Sequence, residues 1–458
     1  MKPLFLFALL ACLSAPTWAQ NPGQIELSES YRLAEQNYPL TRQRELISKT
    51  AEFSVQNLQK GYLPQIFINA QGSYQSEVTQ LPIKLPGAEI EPLSKDQYKI
   101  FADVSQVLYD GGTIRQQKEL QQANAAVEQQ KLEVSLYQLK DRVNQLFFGI
   151  LLIDKQIRQH ELLSSDLELG LKKVQALIAN GTALKSNGDV LMADLLKNKQ
   201  HLIELKAARK AYTHMLGLFI GREISENTVI VQPPSLNVMS ATNPASQTNS
   251  TFQTNPSIVF QKNSTAQTNS TSLINSISQI NRVELQLYRQ QGKYLDAQDK
   301  LLTTKTLPKL SLFAQGGYGR PALNMLSNNF KGYYIGGLRL TWSPSVLYTL
   351  KQERQLININ RNTIDLQKET FLFNTNLTLV QQNTELSKYQ ELLGTDAEIV
   401  QLRARIKTAS LAQLDNGVIN SNDYLREVNA ENQARLSESM HQVQLLMAQY
   451  NQHITTGN

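Results

Sequence analysis

The sequence predicts an α+β membrane protein, built twice over from one plan of a helix, two amphipathic strands and a long helical hairpin. Three observations carry this prediction. Short segments alternate apolar and polar residues with period two. Stretches of about seventy residues hold a helical period without proline. Both patterns return in the same order in the two halves of the 458 residues.

Composition bounds the chemistry first. Charged residues make up 18%, and 45 Lys and Arg against 39 Asp and Glu leave a net charge of +6. That balance gives no footing for nucleic acid. The polar character comes largely from Gln, Asn, Ser and Thr. His160, His201, His214, His441 and His453 are scattered and Cys12 is the single cysteine, so the metal-ligand and thiol-nucleophile templates find almost nothing to match. Nothing resembles a nucleophile elbow or a phosphate loop. No cofactor, metal or catalytic residue is expected, and the chain is not expected to be an enzyme.

Residues 1–19 read as a signal peptide: Lys2, an apolar run from Leu4 to Leu13, then Thr17-Trp18-Ala19 before Gln20. The run has roughly half of the ~20 residues a spanning helix needs. Leu10-Ala11-Cys12 faintly resembles a lipoprotein cleavage site, the alternative fate. Cleavage after Ala19 would leave a mature chain without cysteine. No later stretch approaches a transmembrane helix, so membrane insertion would have to use strands.

The first repeat spans 20–232. Leu27, Ala34, Leu46, Phe53 and Leu58 recur at helix-compatible spacing until Gly61-Tyr62-Leu63-Pro64 breaks the pattern. From Gln65 the period becomes two, with Ile66, Ile68, Ala70, Gly72 and Tyr74 on one face. A polar, Pro-rich connection over 80–96 leads to a second such strand, where Tyr98, Ile100, Ala102 and Val104 oppose Lys99, Phe101, Asp103 and Ser105. Asp110-Gly111-Gly112 ends it, and a very long helix follows. Leu132, Leu136, Leu139, Val143, Leu146, Ile150, Ile153 and Ile157 step by 4 and 3 in turn, the period of a coiled-coil seam. Such a helix would reach roughly 100 Å. It turns at Asn180-Gly181, and Asp189 is placed to cap a returning helix to about Leu218.

The second repeat spans 280–458. Leu307-Pro308 matches Leu63-Pro64, and Leu310, Leu312, Ala314, Gly316 and Tyr318 share one face of a third strand. A fourth carries Tyr334, Gly336, Leu338, Leu340 and Trp342, with Arg339 and Thr341 opposite, and Pro344 stops it. Another long helix runs to about Leu414, with Ile399, Leu402, Ile406 and Ala409 in heptad steps. Asn416-Gly417 and Asp423 then open a last helix, two residues shorter at the turn than the first hairpin. Its apolar residues are Leu436, Met440, Val443, Met447 and Tyr450. Residues 233–279, rich in Asn, Ser, Thr, Gln and Pro, read as a polar linker or a belt around the helices.

Each strand has roughly the ten residues of a tilted membrane crossing, but known barrels begin at about eight strands. Lipid tolerates no open sheet edge, so strands from several chains must combine. Two chains would supply eight and three would supply twelve. Ile66, Ile68, Ile100, Val104, Leu310, Leu312, Leu338 and Trp342 would face lipid, and the polar faces would line water. Tyr62, Tyr74, Tyr98, Tyr109, Tyr318, Tyr333, Tyr334 and Trp342 gather near strand ends, where interfacial girdles sit.

In this order of elements the chain resembles the TolC-like outer membrane efflux proteins. The matching residues are Leu33-Ala34 with Asn37 and Pro39, the two Leu-Pro breaks, Gln106-Val107-Leu108-Tyr109-Asp110-Gly111-Gly112, Arg282 with Glu284 and Leu285, and the paired Gly-to-Asp tips. The resemblance covers almost the whole mature chain apart from the linker. It implies a homotrimer with a twelve-stranded barrel continued by a twelve-helix coiled-coil tunnel, in the cell outer membrane and extending into the periplasm. It also implies docking to a periplasmic adaptor and an inner membrane pump, as the exit duct of a tripartite efflux or type I secretion system. By position Asp423 matches an acid that narrows the family's periplasmic aperture, with Asp189 and Arg426 beside it. Ile419 stands where some members place a gating arginine. N-capping is the other reading of Asp423 and Asp189. The exposed tips, including Gly181, Asn187, Gly417 and Ser421, are the candidate adaptor contacts. A non-conducting periplasmic coiled-coil scaffold and a lipid-anchored surface protein are the alternatives.

Overall fold

A computed structural model describes residues 23–79, 93–226, 228–236, 280–325 and 327–457. The expected leader, most of the first inter-strand connection and all of the expected linker beyond residue 236 lie outside them. The first half contains β1 (Gln24–Ile25), α1 (Leu27–Asn37), α2 (Gln43–Gln59), β2 (Gln65–Tyr74), β3 (Asp96–Tyr109), α3 (Thr113–Ala179), α4 (Lys185–Ile220) and β4 (Val229–Ile230). The second half contains α5 (Val283–Thr304), β5 (Lys309–Arg320), β6 (Lys331–Thr341), α6 (Val346–Asp415) and α7 (Ser421–Thr456). The four long strands and both hairpins therefore form where the residue pattern places them.

The long strands make one antiparallel sheet in the order β2-β3-β5-β6. β2 and β6 are its two open edges. Where β3 meets α3, Asp110 does more than end the strand. Its carboxylate accepts from the Gly112 amide at 2.8 Å and the Ile114 amide at 2.6 Å, satisfying orphan donors of a 67-residue helix. Gly111 and Gly112 take φ of 69° and 80°, which side-chain-bearing residues rarely adopt.

Away from the sheet, α3 is the central post. Near the tips it packs against α4 and α7, and near the sheet against α2 and α5; α6 packs on α5 and α7. The buried core lies about midway, where α1 and the two-residue β1–β4 ladder strap the helices from the side. Leu139, Val143 and Ile150 of the predicted seam meet Phe147, Phe148, Leu216 and Val443 there. Asn144 is fully buried in this core, accepting from the Tyr31 hydroxyl at 2.6 Å and donating to Asn451 at 2.7 Å. Arg209 ties the strap to α3 through Asp154 at 2.5 Å and the Thr228 carbonyl at 3.0 Å.

One heptad expectation meets a different environment. Ile399, Leu402 and Ile406 of α6 keep their heptad spacing but remain exposed in the single chain. The same helix carries a second exposed seam of Leu356, Ile359, Leu366, Phe373, Leu377 and Val380, with Thr363 and Thr370 filling the remaining heptad positions.

Asn144→Ala strands the Tyr31 hydroxyl and the Asn451 amide, a loss of about 1–3 kcal/mol. Thermal unfolding should show a lowered midpoint for Asn144→Ala and an unchanged one for its exposed neighbour variant Gln145→Ala.

Candidate functional site

The two hairpin tips have the same backbone. Gly181 and Gly417 adopt φ of 74° and 66°. In each tip the next residue closes the turn: the Thr182 amide reaches the Leu177 carbonyl at 2.9 Å and the Val418 amide reaches the Gln413 carbonyl at 2.8 Å. The returning helices begin at Lys185 and Ser421, four residues after each glycine. The two residues that separate the Gly-to-Asp spacings thus lie inside α4, not in the turn. Asp423 corresponds in position to Asn187, and Asp189 is an exposed residue within the helix.

This geometry corrects the capping reading. The cap of α7 is Asn420, whose side-chain oxygen accepts from the Asp423 amide at 3.0 Å. Asp423 occupies the first turn, where its charge is favoured by the helix dipole, and its carboxylate has no hydrogen-bond partner among the described residues. Asp189 caps nothing, and α4 begins after Leu184 without a side-chain cap. Arg426 is turned to Glu427 at 3.2 Å and not to Asp423. Of the candidate contact residues, Gly181 and Gly417 are exposed and Asn187 is half-buried, but Ser421 is only 1% exposed. Ser421 therefore packs the tip from within and is not displayed.

What the residue pattern missed is how tightly one tip docks on the other. Tyr424, 1% exposed, lies over Gly170 of α3, where a Cβ would come within 2.8 Å of the ring. Around it gather Leu167, Val174, Leu191, Leu414 and Val428. Burial, with Asp166, Asp415 and Glu431 nearby, pushes the Tyr424 hydroxyl up to about 12, so it stays neutral. Ionic contacts surround this plug: Lys173 with Asp415 at 2.6 Å, and Lys407 with Asp166 at 2.9 Å and Glu431 at 3.3 Å. Gln159 donates to Asn432 in the buried seam at 3.0 Å. A glycine facing a tyrosine across two helices distant in sequence leaves no periodic signal.

At the other end of the chain, the register sorts the sheet into two faces. Directly paired residues include Ile66 with Val104, Val104 with Ala314, and Ala314 with Gly336, so the even-numbered residues of all four strands share one face. That face holds Ile66, Ile68, Ile100, Val104, Leu310, Leu312 and Leu338, as the alternation predicts. Ile68 is 77% exposed, Leu340 69% and Tyr334 86%. Its only charges, Asp96 and Arg320, sit at the loop end and pair with each other. Gln106 is its one amide toward the helix end, and it donates to the Tyr62 carbonyl at 2.5 Å. An irregularity between Val107 and Tyr109 brings Tyr109 opposite Leu310 and so onto the apolar face.

Aromatics mark both rims of this face, with Tyr74, Tyr98 and Tyr318 at the loop end and Tyr62, Tyr109 and Trp342 at the helix end. Trp342 donates its indole N–H to the Thr306 carbonyl at 3.1 Å. Two girdle expectations fail. Tyr333 pairs with Gly317 on the opposite face, and Tyr334, opposite Gly316, sits inward of the rim. From Tyr318 to Leu310 the apolar band runs about 27 Å along the strand at 3.4 Å per residue, or about 21 Å of height at a barrel strand's tilt of about 40°, within a lipid-facing belt of about 25 Å. Among the described residues no helix is long and apolar enough to cross a membrane.

No protein-family model and no curated protein sequence matches the chain. Solved structures do. The outer-membrane channel OprN superimposes with a TM-score of 0.64 at 12% identity, over 94% of this chain and 89% of that one. The outer membrane protein VceC from Vibrio cholerae gives 0.61 at 10% identity, over 94% and 96%. The open state of the MtrE outer membrane channel of Neisseria gonorrhoeae gives 0.61 at 13%, over 94% and 89%. The fold is that of the TolC-like outer membrane channels.

Removing the true cap separates the two tip residues. Asn420→Ala should cost about 1 kcal/mol of local stability and speed amide hydrogen exchange over 421–424, whereas Asp423→Ala should change it by only a few tenths of a kcal/mol.

Proposed function

We propose that this protein is the outer membrane exit duct of a tripartite efflux or type I secretion system, formed by three copies of the chain. The observation that carries the reading is a pair of unsatisfied edges on opposite sides of the molecule. One edge is β6 with the bare seam of α6. The other is β2, with Leu46 and Phe53 exposed on α2 and Met192, Leu196 and Ile203 exposed on α4. An edge of one kind fits an edge of the other, a head-to-tail contact that makes a ring when the rotation closes.

Three chains of four strands give a twelve-stranded barrel with no free edge, and the helices continue it as a tunnel into the periplasm. We read the repeated element order as an internal duplication, with repeats over 20–232 and 280–458 joined by 233–279, behind a cleaved leader at 1–19. The even-numbered sheet face then contacts outer membrane lipid. The tips, with Gly181, Asn187 and Gly417 at the turns, meet a periplasmic adaptor that links the duct to an inner membrane pump. Three copies of Asp423 narrow the periplasmic mouth with carboxylates. The exposed apolar sheet face is what weighs against a soluble coiled-coil scaffold, which has no use for it.

The deciding experiment is single-channel conductance of the purified mature protein in a planar bilayer, with its oligomer mass measured in the same detergent. A trimer that conducts is the expected result. A soluble protein that never inserts would overturn the reading in favour of the scaffold. Leu366→Glu, in the centre of the α6 seam, should abolish the trimer while leaving the helical content of the monomer intact, as read by mass and circular dichroism. In conducting trimers, Asp423→Asn should weaken block by multivalent cations added on the tip side.

A further inference from the structure

The sheet face turned away from lipid carries an unbalanced charge. Odd-numbered residues of the four strands share it, among them Lys99, Asp103, Lys309, Lys331 and Arg339. In β5 the odd residues from 311 to 319 are partly or fully covered while the even ones from 312 to 318 are exposed, as expected of the concave side of a curved sheet. None of the four cations has a carboxylate within salt-bridge distance among the described residues. On the other face the two charges, Asp96 and Arg320, neutralise each other.

Two of these cations are set together at the loop end. Lys99 and Lys331 both pair with Gly319, one from each side, which places them about 10 Å apart across two strand spacings. Gly319 is buried and lets the Lys99 stem lie against the strand beside it: a Cβ there would lie 3.0 Å from the Lys99 side chain and 2.7 Å from the Tyr98 carbonyl. Two residues further in, Phe101 and Tyr333 close over Gly317, where a Cβ would meet them at 2.6 and 2.9 Å. The single acid, Asp103, is four residues along β3 from Lys99, about 14 Å away, beyond ion pairing.

We propose that this face forms an anion-attracting collar at the outer mouth of the conduit, which favours negatively charged solutes in the barrel. The inference rests on the exit-duct reading above. Two lysines per chain make six around a three-chain opening, with an aromatic ring of Phe101 and Tyr333 beneath. Rings of lysine in a pore favour anions, and lumen side chains of a barrel tune its selectivity without touching its lipid face. Low-dielectric walls focus the field of such a ring.

The test uses the full mature trimer in a planar bilayer, with inositol hexakisphosphate added to one side at a time. Block from the barrel side is expected, and the Lys99→Gln, Lys331→Gln double variant should raise the half-blocking concentration at least about tenfold. A Lys99→Arg, Lys331→Arg variant should retain the wild-type value, because the charge and not the residue is read. Oligomer mass and open-channel conductance establish that each variant has assembled. Should the glutamine variant fail to assemble, the wild type decides alone: its barrel-side block must weaken steeply between about 0.1 and 1 M salt. A conducting trimer with no side preference, or with block unchanged in an assembled glutamine variant, overturns the collar and leaves the duct standing. A protein that never conducts overturns both.

Discussion

An apolar sheet with two open edges has no stable home as a single chain, and the rest of the molecule is organised around that constraint. In water the even-numbered face leaves Ile66, Ile68, Leu338 and Leu340 uncovered. In lipid that face is satisfied, but the unpaired amides and carbonyls of β2 and β6 are not, and each costs several kcal/mol. Only a closed wall resolves both. In the proposed duct the four strands are joined to others, and each helix beneath them gains a neighbour on the same side as its strand.

The helices meet this demand consistently. α6 follows β6 in the chain and presents its empty heptad seam at the edge of the helical layer, while α2 precedes β2 and lies at the other edge. The interior of the layer is already complete: α3 is covered by α2, α4, α5 and α7, and its predicted seam is buried except for the half-buried Leu146 and Ile157. Buried seams and bare seams look alike as heptads. What distinguishes them is topology, since a helix with packed neighbours on two sides has no remaining vacancy and a helix at the layer's edge does.

That difference explains how much was legible beforehand. The strands were readable because alternation, proline breaks and glycine turns are local, and β2 begins and ends at the residues the alternation marks. The long helices were readable for the same reason. The shared apolar face followed from the same alternation, whereas the expected girdle aromatic Tyr333 falls on the other face, because composition near a strand end does not fix parity. At the tips, aligning the two turns on their aspartates gave the wrong correspondence, because Asp189 and Asp423 differ in position by two residues. The backbone aligns on Gly181 and Gly417, where positive φ is required, and capping then belongs to Asn420. Tyr424 over Gly170 and the Lys407 pairs were out of reach, since they join residues far apart in sequence through rotamers that no period encodes.

Polar pairs buried between the helices fix what apolar seams leave free. A heptad seam tolerates slippage by a whole repeat, whereas a buried amide or acid displaced from its partner is left unsatisfied. Asn144 with Tyr31 and Asn451 acts at one level of α3, and Gln159 with Asn432 and Asn198 with His160 and Ser164 act at another, on different neighbours. α3 and α6 have 67 and 70 residues, yet α4 and α7 both have 36 and the two turns share their hydrogen bonds. The two hairpins thus differ by three residues in their long helices, α3 and α6, and not in their turns or returning helices.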